Sequence, residues 1–413
     1  MKDLKNLKFE SKAIHAGLDD EKHGATNVPI YLSSAFAYET PEELSEVFQG
    51  KRYGHIYSRI SNPTVSALEK RVNSLENGVA SIAVATGMAA INTAVQAIVG
   101  AGDHIVASKS IFGGTTHLFE DVLNRINVDV SFVDPLNEDG MKAAIKENTQ
   151  LIFVETIGNP KLDICNIESV SRLAEKAGLP LLVDATLTPP SIFNGKEQGA
   201  SVVIHSSTKY MSGGGNVVGG VLTDTGNFKW KTSKSKNIQK IAKRFGNLAF
   251  IGAVRADVTN VGNIMSPFHA SLFLSGLETL SLRVERHCQN AMSLASFLEV
   301  MGLTVNYPGL SNHPQRELVE TQFNGMGGGM ITLRLGSKES CFKFISKLNI
   351  AKNLANLGDM KTLVIHPAST IYLGFDEELK EEAGVFDDLI RVSVGCEHID
   401  DIIADFKQAL YEG

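Results

Sequence analysis

The chain has 413 residues and a formal net charge of −7 at pH 7, and 43% of its residues are hydrophobic. This length suits about two or three domains, and no stretch approaches the roughly 20 consecutive apolar residues of a membrane span. The acidic balance disfavours nucleic acids and anionic membranes as partners, because these bind clustered lysines and arginines.

The start of the chain and its cysteines favour a reduced compartment. Residues 1–17 lack a continuous apolar segment and a small-residue cleavage site, so we predict a cytoplasmic protein. The cysteines are too far apart for a local metal knuckle or a CxxC pair, and we expect no metal site and free thiols. They are Cys165, Cys288, Cys341 and Cys396.

Residues 1–61 are predicted to form an extended N-terminal arm without a core of its own. A helix then begins at Asn62-Pro63, because asparagine suits a helix cap and proline suits the first turn. The apolar face of this helix consists of Val65, Leu68, Val72 and Leu75.

From about residue 80 to 205, short apolar runs alternate with amphipathic segments. The runs are ASIAVA, DHIVAS, VDVSFV, QLIFVE, PLLVDA and SVVIHS, and the intervening helices are predicted over 87–99, 114–126, 138–147 and 168–177. Such alternation is typical of an α/β protein with a mostly parallel, doubly wound sheet. GGVLTD, which follows, is predicted to add an antiparallel strand.

A long helix over about 271–300 is predicted to bridge two domains. Beyond it, GGMITLRLG, TLVIH and LIRVSVG are predicted strands, and 338–347 and 399–411 are predicted helices. We therefore expect a large domain over 62–263 and a smaller α+β domain over 264–413.

Lys209 is the first candidate for chemistry. It follows the strand SVVIHS in HSSTKYMSGGG, so it emerges at the carboxyl end of a strand, where open α/β sheets bind ligands. A desolvated lysine at that position would react as the free amine. The alternative is a surface lysine in a glycine-rich turn.

The other candidates match what a pyridoxal 5'-phosphate (PLP) site requires besides its lysine. Asp184, at the end of PLLVDA, could face the protonated ring nitrogen, although it could equally cap the next loop. Phe112 could stack on the ring or belong to the core. Arg391 interrupts the apolar run LIRVSVG, and an inward arginine there would need a carboxylate, such as that of a substrate, or a backbone partner. The candidates for the phosphate site are Gly87 and Met88, which open a helix, and Ser206 and Thr208.

Tyr57 and Arg59 lie in the N-terminal arm, in HIYSRISNP. A role for them in the site requires the arm to reach another subunit, which predicts an obligate dimer at least. The alternative is that they fix the arm to its own chain.

In this order, YSR, ATGMAA, FVETIGNP, VDATLTPP and HSSTKYMSGGG resemble the Cys/Met-metabolism (cystathionine gamma-synthase) family of PLP enzymes. The resemblance covers nearly the whole chain. It implies fold type I, the aspartate aminotransferase-like α/β fold, with 62–263 as the PLP-binding domain and a homotetramer built as a dimer of dimers.

The resemblance also implies a role for each site residue. Lys209 matches the lysine that carries PLP and moves protons, Asp184 the partner of the ring nitrogen, and Tyr57 and Arg59 the pair given to the neighbouring subunit's phosphate. Further matches are the phosphate-binding Gly87, Met88, Ser206 and Thr208, the ring-stacking Phe112, Glu155 and Asn159 near the ring hydroxyl, and Asn356 and Arg391 at the substrate carboxylate.

Three positions depart from the usual family pattern. Phe112 stands where tyrosine is common, which puts a phenol acid step in doubt, and Ala185 replaces the asparagine of VDNT. Gly114 stands where methionine gamma-lyases carry a reactive cysteine, which disfavours that activity.

The segment SPFHASLFLSGLETLSLRVERH resembles O-acetylhomoserine sulfhydrylases within the family. It implies a γ-replacement in methionine biosynthesis that converts O-acetyl-L-homoserine and sulfide, or a sulfur-carrier donor, to L-homocysteine and acetate. The alternatives are methionine gamma-lyase, cystathionine gamma-synthase and a catalytically silent docking protein.

Overall fold

The computed structural model describes residues 6–18 and 24–411, and the chain folds around two β-sheets. The larger sheet has seven strands in the order β1-β7-β6-β5-β4-β2-β3. These are β1 Ala80–Val84, β2 His104–Ser108, β3 Asp129–Val133, β4 Thr149–Glu155, β5 Leu181–Asp184, β6 Val202–His205 and β7 Gly220–Asp224.

Strand directions confirm the mostly parallel, doubly wound prediction. Strands β6, β5, β4, β2 and β3 pair in parallel, whereas β7 pairs antiparallel with both β1 and β6, as expected for the added strand. Strands β2, β4, β5 and β6 are buried along their whole length, which explains their continuous apolar runs, whereas the edge strand β3 is only partly buried.

Helices cover both faces of this sheet. In α3 the side chain of Asn62 accepts a hydrogen bond from the Thr64 N–H at 3.0 Å, and Pro63 occupies the first turn, as predicted. The helices up to residue 261 are α1 Phe9–His15, α2 Pro41–Phe48, α3 Pro63–Leu75, α4 Gly87–Gln96, α5 Gly113–His117, α6 Glu138–Ala143, α7 Ile167–Ala177, α8 Lys236–Phe245 and α9 Ala249–Val261. A π-turn and a 3-10 turn extend α5 to Ile126.

The prediction of a wholly extended arm was wrong. Helices α1 and α2 lie within residues 1–61, and Ala13 of α1 is buried in the main hydrophobic core. Thr40 caps α2 and Pro41 fills its first turn, which explains why this segment is helical. Residues 1–5 and 19–23 of the predicted arm lie outside the described residues.

The predicted long helix over 271–300 is two helices, α10 Pro267–Glu278 and α11 Leu280–Val300. The interruption at Thr279 leaves the carbonyl of Gly276 available to the side chain of Arg283, which donates to it at 2.6 Å. Arg283 also donates to the Tyr210 carbonyl at 2.7 Å, so the break connects this helix pair to the turn that carries Lys209.

The smaller sheet has five strands in the order β10-β11-β12-β9-β8. They are β8 Thr304–Asn306, β9 Met330–Arg334, β10 Lys352–Asn353, β11 Leu363–Ile365 and β12 Leu389–Ser393. Around them lie α12 Arg316–Gln322, α13 Lys338–Lys347, α14 Glu377–Glu382 and α15 Ile399–Tyr411. The bounds of α13 and α15 agree with those predicted from the sequence.

Gly220, at the start of β7, lets this strand lie against the turn that begins α4. A Cβ atom at this position would meet the main-chain carbonyl of Thr86 and would lie 2.9 Å from the nitrogen of Gly87. Both partners are backbone atoms, so the turn would have to move.

We therefore predict that Gly220→Ala lowers the free energy of unfolding by about 1–3 kcal/mol, a typical cost of overpacking. Urea denaturation of the apoprotein measures it. Gly100→Ala is the matched control, because a Cβ atom there would have only the Asp103 carboxylate nearby, at 3.8 Å. Equal stability of the two variants would contradict the prediction.

Candidate functional site

A cavity of about 300 Å³ opens at the carboxyl ends of β4, β5 and β6, beside the start of α4 and below β12. Both sheets thus contribute to one site, at the place where open parallel sheets usually bind ligands. The lining residues are Thr86, Gly87, Met88, Ile91, Phe112, Glu155, Asn159, Asp184, Thr186, Leu187, Ser206, Thr208, Lys209, Val218, Ala355, Asn356, Leu357, Ile371 and Arg391.

Lys209 lies in the turn after β6, and its Nζ donates to Oδ1 of Asn356 at 2.7 Å. Burial lowers the pKa of Lys209 to about 8, and the positive charge of Arg391 contributes in the same direction. A much larger fraction of this amine is therefore neutral near pH 7 than for an exposed lysine, which suits a nucleophile.

Asp184 and Glu155 lie side by side, because they are paired residues at the ends of β5 and β4. Burial raises the pKa of Glu155 well above its ordinary range, and the neighbouring charge of Asp184 raises it further. Burial also raises the pKa of Asp184, against hydrogen bonds from Thr186 that lower it. Of the two carboxyls, Glu155 has the pKa that is raised further, and its Oε1 accepts from the Phe112 N–H at 2.7 Å.

The start of α4 forms a compact turn against Ser206. The side chain of Thr86 caps the helix by accepting from the Ala89 N–H at 2.9 Å, so the first free N–H groups face the cavity edge. A Cβ atom on Gly87 would lie 2.6 Å from Cβ of Ser206, which accounts for the glycine. The Thr208 hydroxyl is held by the main chain of Gly219.

Arg391 of β12 is only 4% exposed. Its two terminal nitrogens donate to Oδ1 of Asn159 at 3.1 Å and to the Asn356 carbonyl at 3.0 Å. Its Nε is a buried donor with no acceptor among the described residues. A buried guanidinium with an unused donor fits a carboxylate ligand.

Tyr57 and Arg59 do not join the cavity of their own chain. The ring of Tyr57 is 43% exposed, and the guanidinium of Arg59 lies 5.6 Å from its centroid. Arg59 donates to the Thr259 carbonyl at 2.7 Å. The remaining predicted site residues all line the cavity.

Among the residues that were not predicted from the sequence, Thr186 lines the cavity and Tyr372 supports it from outside the lining. Thr186 donates its N–H to Oδ1 of Asp184 at 2.9 Å, and its hydroxyl accepts from the Ser206 N–H at 2.8 Å. Tyr372 donates to the carbonyl of Asn159 at 2.9 Å from a segment between β11 and β12. Thr186 could have been found from its spacing in VDATLTPP, whereas no local pattern marks Tyr372.

These residues fit PLP. The buried amine of Lys209 can bond to the aldehyde, and Asp184 is a buried carboxylate with room for a cationic partner. The turn at Thr86-Gly87 offers N–H groups to a phosphate, and Phe112 presents a partly exposed ring at the same cavity.

Comparisons with known proteins agree with this geometry. A family model described as "Cys/Met metabolism PLP-dependent enzyme" matches residues 10–411. The chain is 39% identical to the homocysteine synthase of Schizosaccharomyces pombe, with 97% of this chain and 98% of that protein covered. It is 38% identical to O-acetyl-L-homoserine sulfhydrylase 1 of Thermus thermophilus, with 98% and 100% covered.

Two solved structures share the fold over almost the full length. The first, from Campylobacter jejuni, is named as an O-acetylhomoserine (thiol)-lyase and carries N'-pyridoxyl-lysine-5'-monophosphate. Its TM-score is 0.92 at 31% identity, with 98% of this chain and 100% of that chain covered. The second is metB of Corynebacterium glutamicum, with a TM-score of 0.87, 36% identity and 99% of each chain covered. The predicted family, fold type I and the PLP cofactor are thereby confirmed.

Within residues 6–18 and 24–411, no helix is long and apolar enough to cross a membrane. In the same residues, no cluster of histidine, cysteine, aspartate or glutamate side chains could hold a metal ion.

The lowered pKa of Lys209 predicts how the apoprotein takes up PLP. Because only the neutral amine attacks the aldehyde, the rate of colour formation should rise with pH around a midpoint near 8, rather than near the ordinary value of 10.5. Stopped-flow absorbance measures the rate, with Nα-acetyl-lysine in solution as the comparison amine. A midpoint shared by the protein and the free amine would mean that burial does not tune Lys209.

Proposed function

This chain belongs to the Cys/Met metabolism family of PLP-dependent enzymes, and we propose that it is an O-acetyl-L-homoserine sulfhydrylase. It replaces the acetoxy group of O-acetyl-L-homoserine with sulfide and releases L-homocysteine and acetate, a step of methionine biosynthesis. The observation that carries this proposal is the identity of 37–39% over 97–98% of the chain to relatives named for this activity or for homocysteine synthesis.

We assign the cavity residues to binding and orientation as follows. The turn at Thr86-Gly87-Met88 binds the phosphate with Ser206 and Thr208, Asp184 binds the ring nitrogen, and Phe112 stacks on the ring. Glu155, whose pKa is raised, and Asn159 lie near the ring hydroxyl. Arg391 binds the substrate carboxylate through its unused Nε donor, and the backbone and side chain of Asn356 position both Arg391 and Lys209.

When bound, PLP supplies an electron sink for the carbanion that forms at Cα. Lys209 is the group that takes the proton from Cα and exchanges protons at Cβ, because it lines the cavity and its pKa is lowered to about 8, which leaves more of the amine neutral than in an exposed lysine. Acetate leaves from Cγ with the electrons of the C–O bond, and sulfide forms the new C–S bond at the same carbon.

A second function of the same class is cystathionine gamma-synthase or gamma-lyase chemistry. The 36% identity to metB of Corynebacterium glutamicum, equal to the identity to a sulfhydrylase of Gibberella moniliformis, is the observation in its favour. Gly114 packs against the ring of Phe112 and stands where methionine gamma-lyases carry a reactive cysteine. The absence of a thiol at this position disfavours the lyase.

The direct test incubates PLP-saturated protein with O-acetyl-L-homoserine, with and without sulfide. We expect homocysteine and acetate in equal amounts only when sulfide is present, and we expect Lys209→Ala to abolish both. Chromatography of the amino acids and of the α-keto acids measures the products, with methionine and with cysteine as parallel reactants. Keto acid formed from methionine without a thiol would contradict the proposal and favour a lyase.

We propose that the enzyme works in the cytoplasm as a dimer of dimers and that residues 1–61 reach the neighbouring subunit. The support is the position of Tyr57 and Arg59, which are part-exposed and lie outside the cavity of their own chain. In the neighbouring subunit they would bind the PLP phosphate, with Tyr57 also close to the substrate. Residues 62–263 would then form the PLP-binding domain, and 264–413 the C-terminal domain.

Subunit mixing tests the shared site. Lys209→Ala and Arg59→Ala should each have little activity alone, because one lacks the amine and the other lacks a phosphate ligand. Unfolding and refolding them together in equal amounts should restore about a quarter of the wild-type activity, since half the dimers are mixed and half of their sites are intact. Mixed samples that stay as inactive as the parents would show that Arg59 serves its own chain.

A further inference from the structure

A buried histidine–glutamate pair lies next to the cavity and has no part in the function described so far. His205, the last residue of β6, is 2% exposed, and Glu76, just after α3, is 1% exposed. Nε2 of His205 lies 2.6 Å from Oε1 of Glu76. Burying two ionisable groups costs free energy unless each has a well-placed partner, so we expect this pair to have a role.

The other edge of the imidazole faces the strand that carries Asp184. Nδ1 of His205 lies 3.1 Å from the carbonyl oxygen of Ala185, the residue that follows Asp184. In the sheet, Asp184 is paired with Ile204, the residue before His205. The imidazole therefore stands between Glu76 on one side and the end of β5 on the other.

Hydrogen bonding restricts the protonation of His205. A carbonyl oxygen can only accept, so Nδ1 must carry a proton to bond to Ala185. An ionised carboxylate also only accepts, so Nε2 must carry a second proton if Glu76 is charged. The ring is then an imidazolium, with its positive charge one residue from Asp184.

We propose that the Glu76–His205 pair is a positioning pair for the cofactor: it holds a fixed positive charge behind Asp184, and this keeps Asp184 ionised and the pyridine nitrogen of PLP protonated. The proposal rests on the assignment of Asp184 to the ring nitrogen in the proposed function. It adds two residues to the machinery that touch neither PLP nor substrate.

The electrostatics around Asp184 support this role. Burial is the largest influence and raises the pKa of Asp184, while hydrogen bonds from Thr186 and then the charge of His205 lower it. The other charged or titratable groups that face this site are Glu155 on β4 and the cations Lys209 and Arg391. Lys209 is partly neutral, and Arg391 is directed to Asn159 and Asn356, so His205 supplies charge that those groups do not.

The second carboxylate oxygen of Glu76 makes this residue depend on His205 as its partner. Its Oε2 is a buried atom with no hydrogen-bond donor among the described residues. A carboxylate in such surroundings depends on its single ionic partner, which ties the charge of Glu76 to that of His205.

The test is Glu76→Gln in the holoenzyme. A glutamine amide keeps the shape and can donate to Nε2, so His205 becomes neutral, with its one proton on Nδ1 bonded to Ala185. Without the positive charge, Asp184 should take up a proton more readily. We expect the ¹⁵N NMR signal of PLP labelled at its ring nitrogen to move toward the unprotonated position. We also expect acid-induced release of PLP to begin about one pH unit higher than in the wild type.

Glu69→Gln is the matched control. Glu69 is also a buried glutamate of α3 with an ionic partner, Arg255 at 2.8 Å, and it binds the Ala83 N–H rather than the strand end at Asp184. It should lose comparable stability but leave the ring-nitrogen signal unchanged. Asp184→Asn provides the reference for a site without the carboxylate.

The outcomes separate this inference from the proposed function. If Asp184→Asn moves the ring-nitrogen signal and Glu76→Gln does not, the pair is only structural and the inference fails alone. If neither moves it, the assignment of Asp184 fails and the inference with it. Should Glu76→Gln not fold, neutron diffraction of the unmodified holoenzyme decides: deuterium on both nitrogens of His205 is expected, and deuterium on only one would overturn the inference.

Discussion

The electrostatic properties of the cavity depend above all on the burial of its ionisable side chains, which lose their contact with water. Lys209, Arg391, Asp184 and Glu155 converge on one small buried volume, and burial is the largest influence on the pKa of each. Isolated charges in such surroundings are unstable, so each group is neutralised, paired or hydrogen-bonded. A lysine with a lowered pKa and a glutamate with a raised pKa are the direct results.

The two sheets share the task of holding this arrangement. The carboxyl ends of β4, β5 and β6 supply Glu155, Asp184 and the turn of Lys209, whereas the smaller sheet supplies Arg391 and the loop of Asn356. Arg283 of α11 also holds the turn of Lys209, because its guanidinium donates a hydrogen bond to the Tyr210 carbonyl. A shift between the sheets would therefore change the distance from the amine of Lys209 to the guanidinium of Arg391.

Much of this could be predicted from the sequence because the relevant residues follow strands. Lys209 and Asp184 each stand at the end of an apolar run, and parallel strands bring such ends together. The break at Thr279, which leaves the Gly276 carbonyl available to Arg283, has no local sequence signal, and α1 and α2 were missed within the arm. Neither does a single chain show where Tyr57 and Arg59 act. The partnership of Glu76 with His205 joins residues 129 positions apart, and no local pattern reveals it.

At Phe112 the backbone makes the structural contact, whereas the side chain determines which chemistry the residue can take part in. Its contact with Glu155 is made by the backbone N–H, so the hydrogen bond is the same whichever aromatic side chain is present. The ring stays 40% exposed at the cavity, where it offers an apolar face but no proton.

Among the side chains that line the cavity, Glu155 is bound to the Phe112 N–H, Asp184 to Thr186, and Arg391 to Asn159 and Asn356. Lys209 is also hydrogen-bonded, to Asn356, and it is set apart from these groups by a pKa that burial lowers to about 8.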